Sequence, residues 1–272
     1  FLYTFSSVVD DVDSEISHII RGQDHVTNTA VQIALFEAIS GKTDYGIGFA
    51  HISLLLSEDG TQFSKRSGSV NLKNLRDLGV DPMTIFNFLA TIGSSLDVST
   101  FLKIEDLVAY FDISKISSNS PKFGTNDIMK LNKKIIRSRQ YSEIKSFGIS
   151  EKAFEVVKDN IVSYKDLAIW QGILSENFIG AYFPDAPSQK ILKVLIEELD
   201  GICVPLDECI VKTLLSSVEY KAAVKGRSLY LPIRMAITDM ENGPNLVQLF
   251  ILLGKEEILK RFRRSVEKTL QT

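Results

Sequence analysis

Ile16-Ser-His-Ile-Ile20, Thr27-Asn-Thr-Ala-Val-Gln-Ile-Ala-Leu-Phe-Glu-Ala-Ile-Ser-Gly41 and His51-Ile-Ser-Leu-Leu-Leu56 follow one another near the start of the chain. The first is a short β-like run. The second opens on Thr27-Asn-Thr29, side chains that suit a helix N-cap, and stops at Gly41, a common C-terminal signal. The third, apolar over 52–56, reads as another strand, and the Glu58-Asp59-Gly60 turn marks its end. Strand, helix, strand at this spacing is a βαβ unit, hence part of a parallel sheet. Upstream, Ser6-Ser-Val-Val9 reads as a further β-like run, set apart by the acidic turn Asp10-Asp-Val-Asp13.

From Asn71 onward the pattern is helical almost throughout. Asp81-Pro82 supplies an N-cap and a first-turn proline, and Met83, Ile85, Phe86, Leu89, Ala90 and Ile92 follow as a helical stripe. The spacing predicts helices over 102–111 and 125–137, with Ser117-Ser-Asn-Ser-Pro121 reading as a linker between them. It predicts further helices over 151–160, 164–178, 187–199, 206–219, 230–240, 245–253 and 255–268. Ser163-x-x-Asp166 resembles a capping box with Asp in place of Glu or Gln. The expected fold class is therefore α/β followed by all-α.

Composition narrows the function classes. A chain of 272 residues that is 44% apolar and 24% charged is an ordinary globular protein, long enough for two domains. No apolar run reaches membrane-spanning length, and no basic leader precedes Phe1-Leu-Tyr-Thr-Phe5. The two cysteines, Cys203 and Cys209, make a poor zinc site with no histidine near them, and read as helix-end or core residues. They also point to a reducing compartment. Residues 1–100 carry six Lys/Arg against twelve Asp/Glu, a net of −6, while 101–272 carry 25 against 22, a net of +3. Any nucleic-acid contact must then rely on local basic faces.

Two spots carry candidate chemistry. Thr61-Gln-Phe-Ser-Lys-Arg-Ser-Gly-Ser-Val70 sets a Lys/Arg pair among small residues directly after the apolar run. Such a cationic loop suits a polyphosphate, although a Lys-Arg pair on a loop is as a rule solvated surface. Arg21-Gly-Gln-Asp-His25 sits between a strand and a helix N-terminus, which suits an anion, and an arginine there can grip a carboxylate bidentately. The plainer reading pairs Arg21 with Asp24 or the acidic turn and leaves His25 as a capping or packing histidine.

Taken in order, several blocks resemble the glutamyl-tRNA synthetase family, from the second half of its catalytic domain onward. They are Tyr3-x-Phe5, Val8-Val-Asp-Asp11, Ile16-Ser-His-Ile-Ile-Arg-Gly-Gln-Asp-His25, Thr27-Asn-Thr29, Phe49-Ala-His51 and Phe63-Ser-Lys-Arg-Ser-Gly68. The resemblance continues through Asn87-Phe-Leu-Ala90 and Ser120-Pro-Lys-Phe123. It ends in Leu229-Tyr-Leu-Pro-Ile-Arg-Met-Ala-Ile-Thr238, Gly243-Pro244 and Leu252-Leu-Gly-Lys-Glu256. It implies a class I enzyme that activates glutamate with ATP and magnesium and transfers it to tRNA. The fold implied is the second half of a Rossmann-like domain over 1–95, a helical connecting region over 96–140 and a helical anticodon-binding bundle over 141–272.

The same resemblance assigns roles. Ser64, Lys65 and Arg66 match the loop that stabilises the pyrophosphate leaving group, with Lys65 on the lysine that contacts ATP; Gln62 stands where the family has the first lysine. Tyr3, Arg21, Ser7 and Asp24 match the glutamate site, and His25, Leu54 and Leu55 the adenosine side. Candidates for gripping tRNA are Lys130, Lys133, Lys134, Arg137 and Arg139, and later Lys225, Arg227 and Arg234; Tyr230 could stack a base, although at helical spacing such a tyrosine is more often core, and Trp170 reads as core. The family's His-Ile-Gly-His signature is missing, so the chain is expected to lack a complete active site when alone. The implied partners are glutamate and glutamate tRNA, with glutamine tRNA left open, for a cytoplasmic monomer without zinc or a membrane. The competing expectation is a non-catalytic tRNA-binding module.

Overall fold

The computed structural model describes residues 3–43, 46–61 and 71–268. The chain forms two compact units. The first comprises Phe1–Asp77 and Pro82–Leu131, the second Leu78–Asp81 and Asn132–Thr272.

In the first unit, helix α1 (Tyr3–Asp13) is followed by strand β1 (His18–Gly22), helix α2 (Val26–Ser40) and strand β2 (Gly48–Ile52). The two strands pair in parallel, with Arg21 opposite His51 and Gly22 opposite Ile52. The βαβ unit expected from the sequence is present, and α2 ends at Gly41 in the left-handed conformation, where its N–H bonds to Glu37 O. The second strand lies earlier than 52–56, because β1 is only five residues long and turns at Gln23 into a single 3-10 turn, which ends the ladder at Ile52. Beyond it, Leu56 makes an isolated bridge to Lys122, and the Ser53 hydroxyl meets the carbonyls of Ser117 and Asn119.

Ser6–Val9 belongs to helix α1, not to a strand. Burial there broadly follows the helical repeat, with Thr4, Ser7 to Val9, Asp11 and Val12 turned from water and only Val8 wholly enclosed. The hydroxyls of Ser6 and Ser7 donate back to the carbonyls of Tyr3 and Thr4, contacts that a helix provides and a strand does not.

Three further helices of the first unit are α3 (Leu72–Asp77), α4 (Pro82–Thr91) and α5 (Ile104–Tyr110), and the unit also holds a 3-10 turn at Ile113–Lys115 and the first half of the next helix. Asn87 is fully buried in α4 and satisfies both ends of its amide. Its nitrogen donates to Met83 O and Phe101 O, and its oxygen accepts from Phe101 N. That exchange ties the 94–103 loop to α4, so the burial costs little.

Helix α6 (Thr125–Ser138) is followed by α7 (Tyr141–Ile144), α8 (Glu151–Val157) and α9 (Tyr164–Ile173). Then come α10 (Ala186–Asp200), α11 (Glu208–Ala222), α12 (Arg227–Thr238) and α13 (Leu246–Lys268). Gly254 leaves the helical region inside α13, at the break expected between 253 and 255. The capping box at Ser163 and Asp166 is formed. Two apolar clusters build the second unit, one around Phe154, Leu167 and Trp170. The other lies among α10 to α13, with Leu192, Leu195, Phe250 and Phe262 out of water. Cys203 and Cys209 are free and exposed, so neither is a core residue; Cys209 sits in the first turn of α11.

One buried ion pair organises the start of the second unit. Asp81 is 1% exposed and accepts both Nε and Nη2 of Arg139. The Tyr164 hydroxyl also donates to Asp81, and Glu143 takes Nη1 of Arg139. Arg139 is therefore committed to the protein and is not a free cation for RNA. Burial works against its charge, but the bonds and charge of Asp81 outweigh that and hold its pKa above the usual value. Gly79, two residues before, has φ +76°, and its carbonyl accepts Tyr164 N; a Cβ there would come within 2.9 Å of Lys165 N. Replacing Asp81 with Asn leaves Arg139 only the more exposed Glu143 as counter-charge. The variant is expected to lose about 3–5 kcal/mol in urea unfolding of the second unit, against about 1 kcal/mol for Tyr164→Phe.

Candidate functional site

The end of β1 builds the first unit's site. Arg21 is half-buried on that strand. Its Nη2 donates to Thr29 Oγ1 at 2.8 Å and to His25 O at 3.3 Å, and its guanidinium carbon lies 5.7 Å from the centroid of Phe49. Arg21 makes no ion pair with a carboxylate among the described residues, and its Nε is buried without a hydrogen-bond partner there. The pairing with Asp24 or the acidic turn is thus not formed; Asp24 instead stands 3.7 Å from His25 Nε2. A buried guanidinium N–H with no acceptor is costly, and an incoming carboxylate can satisfy it.

Of the other expected residues, Asp24 and His25 follow directly on this strand, in the 3-10 turn between β1 and α2. Ser7 faces α2 from α1 and takes a long contact, 3.5 Å, from Gln32 Nε2, whose amide oxygen is buried without a partner among the described residues. Tyr3 opens α1 and is 78% exposed. Leu54 and Leu55 are half-buried, between the end of β2 and the bridge at Leu56. Ser64, Lys65 and Arg66 lie outside the described residues, as does Gln62.

The turn that leads toward that loop is well defined. Asp59 accepts from the Ser57 hydroxyl and from both the backbone N–H and hydroxyl of Thr61. These bonds, the one from Ser57 foremost, hold its carboxyl down to about 2. The sequence reading missed Thr29, Gln32 and Phe49 as individuals. Thr29 and Phe49 were quoted only as parts of motifs, and Gln32 has no signal beyond being a polar residue on the buried side of α2.

In the second unit the basic residues differ in how they are held. Arg234 is half-buried on α12 and donates to Pro244 O at 2.8 Å, and burial lowers its pKa. It lines a groove of about 510 Å³ with Lys212, Tyr230 and Asn245. Tyr230 is 39% exposed there, so it is not a core residue. Lys225 and Arg227 are exposed and form weak surface pairs with Glu219 and Glu241. Helix α6 carries Lys130, which pairs with Asp127 and falls in the first unit, and Lys133, Lys134 and Arg137, which fall in the second, Arg137 pairing with Asp159. Trp170 is 2% exposed and lies in the core, as expected.

The first unit thus carries a βαβ unit with an arginine whose Nε is unpartnered among the described residues, and the second carries a groove lined in part by Lys212 and Arg234. Residues 2–130 match the family model described as tRNA synthetases class I (E and Q), catalytic domain, and residues 150–266 match that of the anticodon binding domain. The chain belongs to the class I tRNA synthetases of this type. It is 30% identical over 272 residues to Glutamate–tRNA ligase 1 of Wolbachia sp. subsp. Brugia malayi (strain TRS), covering 97% of this chain and 59% of that protein. It is 34% identical over 270 residues to Glutamate–tRNA ligase 2 of Gluconobacter oxydans (strain 621H), covering 98% and 59%. The fold is that of a glutamate tRNA ligase from Elizabethkingia meningosepticum solved with its amino acid. The TM-score is 0.76 at 20% identity, over 98% of this chain and 60% of the other. The chain thus spans about three fifths of the length of the relatives it matches.

The depressed carboxyl of Asp59 is directly measurable. Its ¹³C carboxyl resonance is expected to titrate near pH 2 rather than near 3.8. A folded pKa below the unfolded one means the turn is supported at neutral pH and loses that support as pH falls from about 4 toward 2. A midpoint near 3.8 would show that the three hydrogen bonds are not held in solution.

Proposed function

We propose that this chain is part of a glutamate–tRNA ligase, which activates glutamate as its adenylate with ATP and transfers it to tRNA. The observation that carries the reading is Arg21, half-buried, with no carboxylate partner among the described residues and an Nε–H left unmatched. The family match over residues 2–130 supports the same direction. Arg21 takes the side-chain carboxylate of glutamate, with Tyr3, Ser7 and Asp24 around the amino acid. His25, Leu54 and Leu55 belong to the adenosine side. Ser64, Lys65 and Arg66 meet the charge that builds on the leaving pyrophosphate, where a cation placed for the transition state is most effective. The described residues hold no cluster of three or more metal-ligating side chains. Magnesium enters the proposal as the ion carried by the ATP phosphates.

Residues 1–95 supply the chemistry, 96–140 connect, and 141–272 receive the anticodon arm. Lys133, Lys134 and Arg137 on α6, in the connecting region, and Lys225 and Arg227 at the start of α12, in the bundle, take phosphates, Lys130 extending the row on α6. Arg234 and Tyr230 line a groove wide enough for an unstacked base. Glutamate tRNA is the acceptor in this reading and glutamine tRNA its alternative. The proposal extends to a monomer acting in the cytoplasm; among the described residues no helix is long and apolar enough to cross a membrane.

Two measurements test this. In the full-length gene product, glutamate-dependent exchange of pyrophosphate into ATP should fall about 10²–10³-fold in kcat for Lys65→Ala. Unchanged kcat would remove the loop from the chemistry. The chain itself, titrated with glutamate tRNA and an unrelated tRNA at two salt concentrations, should bind the first selectively and more weakly at high salt. Arg234→Ala should weaken that binding about tenfold. Equal affinity for both tRNAs would contradict the anticodon role. Selective binding without glutamate-dependent exchange would favour a tRNA-binding module.

A further inference from the structure

Arg21 is aimed by groups from three different elements, and two of them have no role in the reading above. Arg21 on β1 and His51 on β2 are register partners, so their side chains stand on the same face of the parallel pair. Thr29, one turn into α2, places its hydroxyl oxygen 2.8 Å from Arg21 Nη2, 3.1 Å from His51 Nε2 and 3.3 Å from His25 O. Phe49, also on β2, stands against the guanidinium.

Counting donors fixes the logic. A threonine hydroxyl has one hydrogen and two lone pairs, and a guanidinium only donates. Thr29 Oγ1 therefore accepts from Arg21. Its own hydrogen goes to His25 O or to an unprotonated His51 Nε2. If Nε2 is protonated, His51 fills the second lone pair and the hydroxyl hydrogen turns to His25 O. With Nε2 protonated the hydroxyl rotor is fixed toward His25 O, and the lone pair presented to Arg21 is fixed with it; with Nε2 unprotonated the rotor is confined to the two acceptors. Without His51 the rotor loses one of its two stops. Without the hydroxyl, Arg21 Nη2 keeps only the long contact to His25 O.

We propose that Thr29 and His51 are positioning residues that lock the Arg21 guanidinium into the orientation in which it receives the substrate carboxylate. The proposal rests on the reading of Arg21 as the carboxylate-binding residue. Its physical content is preorganisation: a guanidinium held by a fixed acceptor keeps its remaining N–H groups aimed before the ligand arrives, and less ordering is left for the binding step.

The test is the kinetics of glutamate-dependent pyrophosphate exchange in the full-length gene product, with Thr29→Val, Thr29→Ser, His51→Phe and Arg21→Ala. Thr29→Val keeps the shape and removes the hydroxyl. It is expected to raise KM for glutamate about tenfold and leave KM for ATP within about twofold. Thr29→Ser restores KM for glutamate to within about threefold of the wild type, because the acceptor returns. His51→Phe moves KM for glutamate in the same direction by about threefold to fivefold, and Arg21→Ala by about a hundredfold or more. If Thr29→Val matches the wild type while Arg21→Ala raises KM for glutamate, the positioning role is wrong and the site reading stands. If Arg21→Ala leaves KM for glutamate unchanged, the site reading itself fails, and the positioning proposal with it. Equal losses in both KM values, with no rescue by serine, would mark Thr29 as a packing residue and overturn the proposal.

Discussion

Parallel strands cannot be joined by a tight turn, and that constraint governs the first unit. The chain must leave β1, cross over as a helix and return, so the beginning of α2 is carried past the end of β1. Gly22 ends the strand, Gln23–His25 make the turn, and Thr29 arrives above Arg21 one helical turn later. The return strand then brings His51 and Phe49 alongside. Nothing in the local sequence around Arg21 contains Thr29 or His51; the crossover brings them there.

A different constraint governs the second unit. Its helices bury large apolar side chains among themselves, and such packing alone does not fix where a charged residue faces. The pairs at Asp81–Arg139 and Glu257–Arg261 do. Arg261 is 3% exposed, bonds to Glu257, Ile237 O and Ser175 O, and lies 4.7 Å from the Phe178 ring centre. Removing either acid would strip a largely enclosed guanidinium of its main counter-charge, leaving Arg139 with Glu143 and Arg261 with backbone carbonyls, and such a loss costs more than the pair contributes to stability when intact. Of the two arginines, Arg139 lies within the basic run of the sequence, and there the structure spends a cation on itself. On α6, which ends just before it, Arg137 pairs with Asp159 at the surface, while Lys133 and Lys134 make no ion pair among the described residues.

The sequence disclosed what short-range chemistry decides. Gly41 as a C-cap, Pro82 in a first turn, the Ser163–Asp166 capping box and the break at Gly254 each depend on residues within a turn of one another, and each was legible. Ser6–Val9 was misread as strand because paired valines favour β structure, while the deciding feature is the pattern of burial against α2. Likewise 52–56 is apolar, but the ladder is limited by its partner's length, which the run itself does not encode. Ser117–Pro121, read as a linker, is pinned by Ser53 and by the neighbouring Leu56–Lys122 bridge. In the site, Arg21, Asp24 and His25 were visible because they are contiguous. Thr29 and His51 acquire their meaning only across the crossover.

The central claim is that the Arg21 guanidinium, oriented but unmatched, is where a carboxylate docks. Its Nε–H is a single NMR resonance. In the full-length gene product with ¹⁵N-labelled arginine, addition of L-glutamate should shift the Arg21 Nε–H signal downfield and slow its exchange with water, as a charge-assisted hydrogen bond forms. L-glutamine, which keeps the α-carboxylate but lacks the side-chain charge that the reading gives to Arg21, should do neither to a comparable extent. If glutamate binds and other resonances move while Arg21 Nε–H keeps its position and exchange rate, the carboxylate docks elsewhere and the assignment of this site is contradicted.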